Sequence, residues 1–432
     1  MNKRLAIVLA IVCVLGVFVL FRPLSFSTYT FFSDSAKVVN PFKFRAIDTM
    51  KYSRDLAEEK LYSKSFDAVI DAQMKLIEDS GATHVAIDTP YDEKFYPILK
   101  RWVDSARAHH LAVWFRGNFS GWEGWFGYGK ISRASHEYML NNFLSAHPEL
   151  FQSGDIFSPC PECENGGPGD PRATGDAAGY NQFLTEEYVI SKQAFNTMHK
   201  SVTVYASMNA DIAKGVIDKD TARALGGTIL IDHYVQSPKQ FISDVQSISK
   251  RLDAKIGIGE FGAPILDLNG EMSQQAQADY IDSILDLLYQ NSSIVPLVNY
   301  WVLTGGSTAL ATDNGNAKPV YSIVKSYFTM PKISGKITDT LGEYMQGVTV
   351  SVSGTTYSTE SEGDGSYAIF LSHRYKKITF EKKGYKTVEI TIPDDLEHVN
   401  YKDVVLEPTN PSLWYKTKAW MHMLKNKIMA AI

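Results

Sequence analysis

The sequence predicts a (β/α)₈ barrel followed by a small all-β domain, and three observations carry that prediction. Between Pro41 and Tyr327, strand-like apolar segments alternate with segments of helical spacing. Eight such units in about 290 residues are what a closed (β/α)₈ barrel needs. After Pro331 helical spacing stops, and Ile333 to Glu407 is rich in Val, Thr, Ser, Gly and Tyr with short alternating segments. A 44% apolar share of 432 residues is enough to bury a sizeable core, which excludes wholesale disorder and leaves room for more than one domain.

The first unit is a strand from Phe42 to Asp48 and a helix from Ser65 to Asp79, where Phe66, Val69, Ile70, Met74 and Ile77 fall on one face. Gly81 closes that helix. Thr83–Asp88 and Glu93–His109 form the second unit, Leu111–Phe115 and Ile131–Leu144 the third. Asp155–Ser158, a weaker strand, leads to a helix over Tyr180–His199. The last four units pair Val202–Ser207 with Ala213–Leu225, Thr228–Tyr234 with Pro238–Leu252, Lys255–Glu260 with Gln274–Tyr289, and Ile294–Val302 with Val320–Phe328. An open doubly wound sheet shows the same alternation. Against it, no Gly-rich phosphate-binding turn follows an early strand, and Gly257-Ile258-Gly259 lies inside a late one.

In the C-terminal segment Val348, Val350 and Val352 alternate as a half-buried strand should, and Glu362-Gly363-Asp364-Gly365 and Lys383-Gly384 mark turns. The reading is a small immunoglobulin-like β-sandwich. The stretch Ile333-Ser334-Gly335-Lys336-Ile337, with Asp339, Gly342, Gly347-Val348, Gly354, Asp364-Gly365-Ser366-Tyr367 and Lys383-Gly384-Tyr385, resembles the carboxypeptidase regulatory-like domain family. That resemblance implies a non-catalytic surface module.

Both ends of the chain suggest a membrane. Lys3-Arg4 precedes an uncharged apolar run from Leu5 to Phe21, closed by Arg22-Pro23. The run exceeds a signal-peptide core and approaches the ~20 residues of a span. The expectation is an uncleaved signal-anchor transmembrane helix over residues 1–24, the alternative being a cleaved signal peptide. The basic flank places the rest outside the cytoplasm as a single-pass cell-membrane protein. At the other end, Leu413, Trp414, Thr417, Trp420, Met421, Leu424 and Ile428 form a stripe bordered by Lys416, Lys418, Lys425 and Lys427. An amphipathic helix over 409–432 suits either a membrane surface or docking on the barrel. The expected organisation is thus 1–24 anchor, 41–330 barrel, 331–408 sandwich and 409–432 amphipathic helix. With 43 basic and 48 acidic residues, net −5, nucleic acid is not an expected partner.

Barrel chemistry sits at the C-terminal ends of strands and in the loops beyond them. Candidates there are Asp48, Asp88, Arg116 with Asn118, Glu162 with Glu164, Asp211, Asp232 with His233 and Tyr234, Glu260 and Trp301. Glu260 ends the seventh strand in Gly257-Ile258-Gly259-Glu260-Phe261-Gly262, where flanking glycines allow a sharp turn and close approach of substrate. Glu162 follows the fourth in Cys160-Pro161-Glu162-Cys163-Glu164-Asn165. Carboxylates on strands four and seven face each other across a barrel mouth, and a separation of about 5–5.5 Å makes one a nucleophile and the other an acid, then a base.

At these residues the barrel resembles clan A glycoside hydrolases, the family 5-like group, over nearly all of 41–330. The resemblance implies a retaining glycosidase acting on a polysaccharide or glycan, with Glu260 as nucleophile and Glu162 as acid/base. It also implies Trp301 as a subsite floor and Tyr234 as a partner of the nucleophile. The Asn expected before the acid/base is Pro161 here, and Glu164 stands as a rival acid. Arg116, Asn118 and His233 are candidate substrate contacts, His233 being equally readable as a satisfied core histidine. Trp122 and Trp125, interleaved with Gly in Trp122-Glu123-Gly124-Trp125, suit stacking on pyranose faces or anchoring of the loop. Cys160 and Cys163 lack the two further ligands zinc wants, so no metal or cofactor is expected; outside the cytoplasm a local disulfide is the expectation, with a pair of free thiols the alternative. A non-catalytic glycan-binding or envelope-organising protein on a degenerate barrel is the alternative function.

Overall fold

The computed structural model describes residues 40–166, 169–393 and 399–431. The expected anchor over 1–24 lies outside them. Among the described residues no helix is long and apolar enough to cross a membrane.

Eight parallel strand positions form one curled sheet. They are β1 (Phe44–Asp48), β2 (His84–Ile87), β3 (Ala112–Phe115), β4 (Ile156–Phe157), β5, β6 (Thr228–Asp232), β7 (Lys255–Phe261) and β8 (Leu297–Tyr300). β5 is interrupted, with pieces at Thr203–Val204 and Ser207–Asn209. Its first piece pairs with β4 and its second with β6, so this one segment joins the two ends of the sheet. β1 pairs with β8 at the opposite side of the ring. This arrangement is a TIM barrel rather than the open sheet.

Ala46, Ala86, Trp114, Ile156, Leu230 and Leu297 fill the interior. Trp114 is the bulkiest of these, and its indole N–H donates to Ser158 Oγ at 3.0 Å, which satisfies the polar atom that burial would otherwise orphan. A Cβ at Gly257 would collide with Leu230, so glycine there is a packing requirement of the lumen.

Outside the sheet lie α1 (Asp67–Asp79), α2 (Tyr96–Ala108), α3 (Arg133–Ala146), α4 (Ala177–Thr197), α6 (Pro238–Leu252), α7 (Gln274–Gln290) and α8 (Pro319–Phe328), with the fifth crossover, α5, in two pieces. Each presents an apolar stripe to the strands, as Ile98, Leu99, Trp102, Val103 and Ala106 do on α2. Starts are set by side-chain caps: Ser132 for α3, Asp176 for α4, Ser237 for α6 and Ser273 for α7. The single helix expected over Ala213–Leu225 is instead Ala210–Gly215 and Lys219–Ala224, because Asp218 caps a fresh start by accepting from the Thr221 amide. β4 is also shorter than expected, and two short helices, Met50–Ser53 and Ala57–Lys60, occupy the loop after β1.

Beyond the barrel, β9 (Lys332–Asp339), β12 (Ser366–Phe370), β15 (Val399–Tyr401) and β16 (Val404–Leu406) form one sheet. β10 (Thr349–Val352), β11 (Ser358–Glu360), β13 (Lys377–Glu381) and β14 (Val388–Thr391) form the other. Val348, Val350 and Val352 are all buried, and Tyr367 meets Phe380 edge-on between the sheets at 5.1 Å. This domain seats on α7 and its neighbour. Arg374 pairs with Asp282 and Asp286, and Tyr289 donates to the Phe370 carbonyl at 2.7 Å.

The last helix, α9 (Leu413–Ala431), is held to the sandwich by Tyr415, whose hydroxyl donates to Asp339 at 2.9 Å. Leu413, Trp414, Trp420, Met421 and Leu424 remain exposed.

Candidate active site

Five strands deliver charged side chains to the barrel mouth. Arg116, just past β3, is 2% exposed, and its guanidinium meets four carboxylates. Glu260 Oε1 lies 2.6 Å from Nη2 and Asp232 Oδ2 3.3 Å from it. Asp88 and Asp48 stand 3.6 and 3.7 Å from Nε. Burial alone would lower the affinity of Arg116 for its proton, but these carboxylates, Asp232 and Glu260 foremost, raise it well above the usual value. Nη1 also donates to the Gly259 carbonyl at 3.1 Å. A Cβ at Gly259 would strike Asp232 and crowd Ser207 and Arg116. The glycine before Glu260 therefore leaves room for the Asp232 carboxylate first, then for Ser207 and the guanidinium.

Glu260 lies on β7, and both its oxygens accept hydrogen bonds, from Arg116 and from the Tyr234 hydroxyl at 2.9 Å. The Tyr234 phenol is pushed well above its usual value by burial and by Glu260 and Asp232, so it stays a donor.

One cleft is lined by Met50, Arg54, Asp88, Arg116, Asn118, Glu123, Trp125, Pro161, Glu162, Asn165 and Glu260. Glu162 and Glu260 thus share a single opening. Glu162 sits in the left-handed region, φ 46° and ψ 47°, which is strained for a residue with a Cβ. Three restraints hold it: its amide donates to the Ser207 carbonyl at 3.0 Å, its carbonyl accepts from the Asn165 amide at 2.8 Å, and a disulfide joins Cys160 to Cys163 around it. Burial, then Asp232 and Glu260, push the Glu162 carboxyl well above the ordinary range.

Glu164 is 2% exposed and accepts from the Tyr180 hydroxyl at 2.7 Å and the Asn209 amide at 2.6 Å, apart from the cleft. Its bonds are those of a structural anchor.

The remaining expected contacts divide. Asn118 lines the cleft, its amide nitrogen 3.4 Å from Glu123 and its oxygen 2.8 Å from His136 Nε2. Trp125 lines it too, with the Arg54 guanidinium 4.7 Å over its ring. Trp301 stands behind Tyr234, ring centroids 6.0 Å apart. Trp122 has no exposed face: it is fully buried, stacked on Phe183 at 5.1 Å, and donates to the Cys163 carbonyl. The stacking expected of it does not fit this position, and it anchors the loop. His233 pairs with Asp244 on α6 at 3.0 Å and packs on Phe241, outside the cleft lining. That is the satisfied core histidine. Asp211 is exposed and pairs with Arg172.

The sequence reading did not single out Arg54 and Glu123. Glu123 is held near pH 7, up to about 7, by burial that Arg54 only partly offsets. Its signal was its place between Trp122 and Trp125, read there for its rings alone. Among the described residues no cluster of His, Cys, Asp and Glu is arranged to hold a metal ion.

A search of curated proteins finds no match to the chain. Among solved structures, the barrel is similar to XacCel5A in complex with cellopentaose, with TM-score 0.50 and 10% identity over 66% of this chain and 99% of that one. The endo-beta-1,4-glucanase Xac0029 from Xanthomonas axonopodis pv. citri matches with TM-score 0.45 and 11% identity over 61% and 89%. Fungal beta-1,4-galactanase matches with TM-score 0.45 and 14% identity over 66% and 99%. At such identities the likeness is one of fold. Residues 332–407 match the family model of the carboxypeptidase regulatory-like domain. The chain therefore joins a TIM barrel to a segment that matches the carboxypeptidase regulatory-like domain.

Proposed function

We propose that the protein is a retaining glycoside hydrolase acting on a polysaccharide or glycan, with Glu260 as nucleophile and Glu162 as acid/base. The observation that carries the reading is the asymmetry of two carboxyl groups on one cleft. Glu260 has both oxygens committed as acceptors, while burial, then Asp232 and Glu260, raise the Glu162 carboxyl well above the ordinary range. Attack by Glu260 on the anomeric carbon would form a glycosyl ester as Glu162 protonates the departing oxygen. Water activated by the same Glu162, now a base, would release the sugar. Arg116 and Tyr234 orient Glu260, and Asn118, Trp125 and Trp301 are the proposed sugar contacts. A protein that only binds glycan would have no use for two carboxyl groups so differently held, one bonded on both oxygens and the other raised well above the ordinary range, which weighs against the non-catalytic alternative.

The test is trapping. An activated 2-deoxy-2-fluoro glycoside should form a stable ester, and peptide mapping should place it on Glu260. Glu260→Ala should lower turnover at least about 10⁴-fold. A label on any other carboxyl group, or no label with an inverted product, would remove the assignment.

We further propose the division 1–24, 41–330, 331–408 and 409–432, with the first segment anchoring the chain in the cell membrane and the rest outside the cytoplasm. The exposed Trp414, Trp420 and Met421 with Lys416 and Lys418 support a surface role for α9 against the same leaflet. Replacing residues 1–24 by a cleavable signal should release most of the protein and leave weak, salt-sensitive vesicle binding. Full solubility at low salt with α9 protected from protease would leave α9 a structural helix.

A further inference from the structure

Asp88 stands just past β2, 1% exposed, with its carboxyl group on the cleft. Its backbone is fixed, since the amide donates to Ser53 Oγ at 3.0 Å. Its side chain is not: neither carboxyl oxygen has a hydrogen-bond partner among the described residues, and Arg116 Nε, 3.6 Å away, has none either. The neighbouring acids differ. Asp48 accepts from the Met50 amide and Asn299, and Asp232 from Ser207 and Arg116. Glu260 accepts from Arg116 and Tyr234, and Glu162 from Asn165. Of these acids, among the described residues, only Asp88 is buried on the cleft with no hydrogen bond to either carboxyl oxygen. Buried polar groups are almost always satisfied, and one that is not points to a partner that comes from outside.

We propose that Asp88 grips the substrate: it hydrogen-bonds a donor group on the sugar ring held in the cleft, a hydroxyl or an ammonium, and selects for sugars that carry it. This rests on the glycosidase reading and adds a specificity-determining contact from β2 to it. A site built to bond a polar group rejects the analogue lacking that group far more strongly than an apolar pocket rejects a missing methylene. Burial and the nearby Asp48 raise the Asp88 carboxyl well above its usual range. A neutral acid gives one donor and one acceptor, which suits a hydroxyl, whereas an ionised one suits an ammonium.

The test compares the wild type with Asp88→Asn and Asp88→Ala on dinitrophenyl β-glycosides of common hexoses and xylose, their monodeoxy analogues and the matching amino sugars. Asp88→Ala should lower kcat/KM about 100-fold on the preferred glycoside. On one deoxy analogue the two proteins should fall within about 3-fold, which identifies the bonded position. Restoration by Asp88→Asn marks a hydroxyl met by a neutral acid. Failure to restore, with an amino sugar preferred by the wild type, marks an ammonium. Because the acid is unpartnered without ligand, both variants should unfold at a higher temperature than the wild type. Equal losses on the parent and every deoxy analogue, no loss at all, or a lowered unfolding temperature would overturn the proposal, making Asp88 a structural counterion. Fluoro-sugar labelling of the wild type is scored separately. If it fails, the glycosidase reading falls, and quenching of tryptophan fluorescence by the free sugars decides Asp88 alone. Binding lost in Asp88→Ala supports the grip, and binding unchanged or undetectable in both overturns it.

Discussion

Glu162, the proposed acid/base, sits on a backbone that glycine would occupy more comfortably. The left-handed conformation costs an L-residue about 1–2 kcal/mol. Here it places Glu162 on the cleft that Glu260 also lines and leaves Glu164 beside Tyr180. Burial first, then Asp232 and Glu260, raise the Glu162 carboxyl well above its ordinary range, which suits an acid. The expected outcome is a kcat/KM profile whose alkaline limb belongs to Glu162. With an aryl glycoside whose leaving group needs no proton, Glu162→Gln should keep bond cleavage, lose that limb and slow deglycosylation about 10²–10⁴-fold. A limb unchanged in Glu162→Gln would place the acid elsewhere, with Glu123 the next group to examine.

The loop after β4 is the element most altered by its surroundings. Two residues of strand precede it, and the disulfide, the Ser207 contact and the buried Trp122 beneath Cys163 give it a fixed shape. Closing so short a ring accounts for about 2 kcal/mol by loop entropy. Replacing both Cys160 and Cys163 by Ala should lower the unfolding free energy by about that amount. It should also depress kcat more than binding, because the left-handed turn at Glu162 loses a restraint; equal effects on both would make the bridge a stability device only. The eight strand-helix units were legible because apolar periods of two and 3.6 survive in the sequence. The split fifth crossover was not, since a cap at Asp218 interrupts a stretch whose apolar spacing runs on through it. Carboxylates at strand ends were legible too, and Glu162, Glu260, Arg116, Asn118 and Trp125 do meet in one cleft. Trp122 misled because ring-and-glycine loops look alike whether the ring faces solvent or the core. Arg54 and Glu123 lay in loops with no period to mark them.

At the scale of the molecule, the acid-rich mouth sets how stability responds to pH. Asp232 is raised from 3.8 to about 8 by burial first and then by Glu260, with Arg116 opposing, and Asp48 from 3.8 to about 6. A carboxyl whose folded value lies above its unfolded one binds more protons when folded. Its contribution is fully present below the unfolded value and is lost as pH rises toward the folded one. Asp232→Asn should therefore gain stability relative to the wild type progressively between about pH 4 and pH 8 in denaturant unfolding. Parallel curves across that window would mean the Asp232 proton is not linked to folding.

Arg116 belongs to the first half of the barrel, with Asp48 and Asp88, while Asp232 and Glu260 come from the second. The second half, taken alone, would have to desolvate two acids with no cation between them, a burden that lifts only when the first half arrives. The two halves of this ring are thus unequal partners in assembly. The early strands carry their own counterion, whereas the late strands meet theirs only across the mouth.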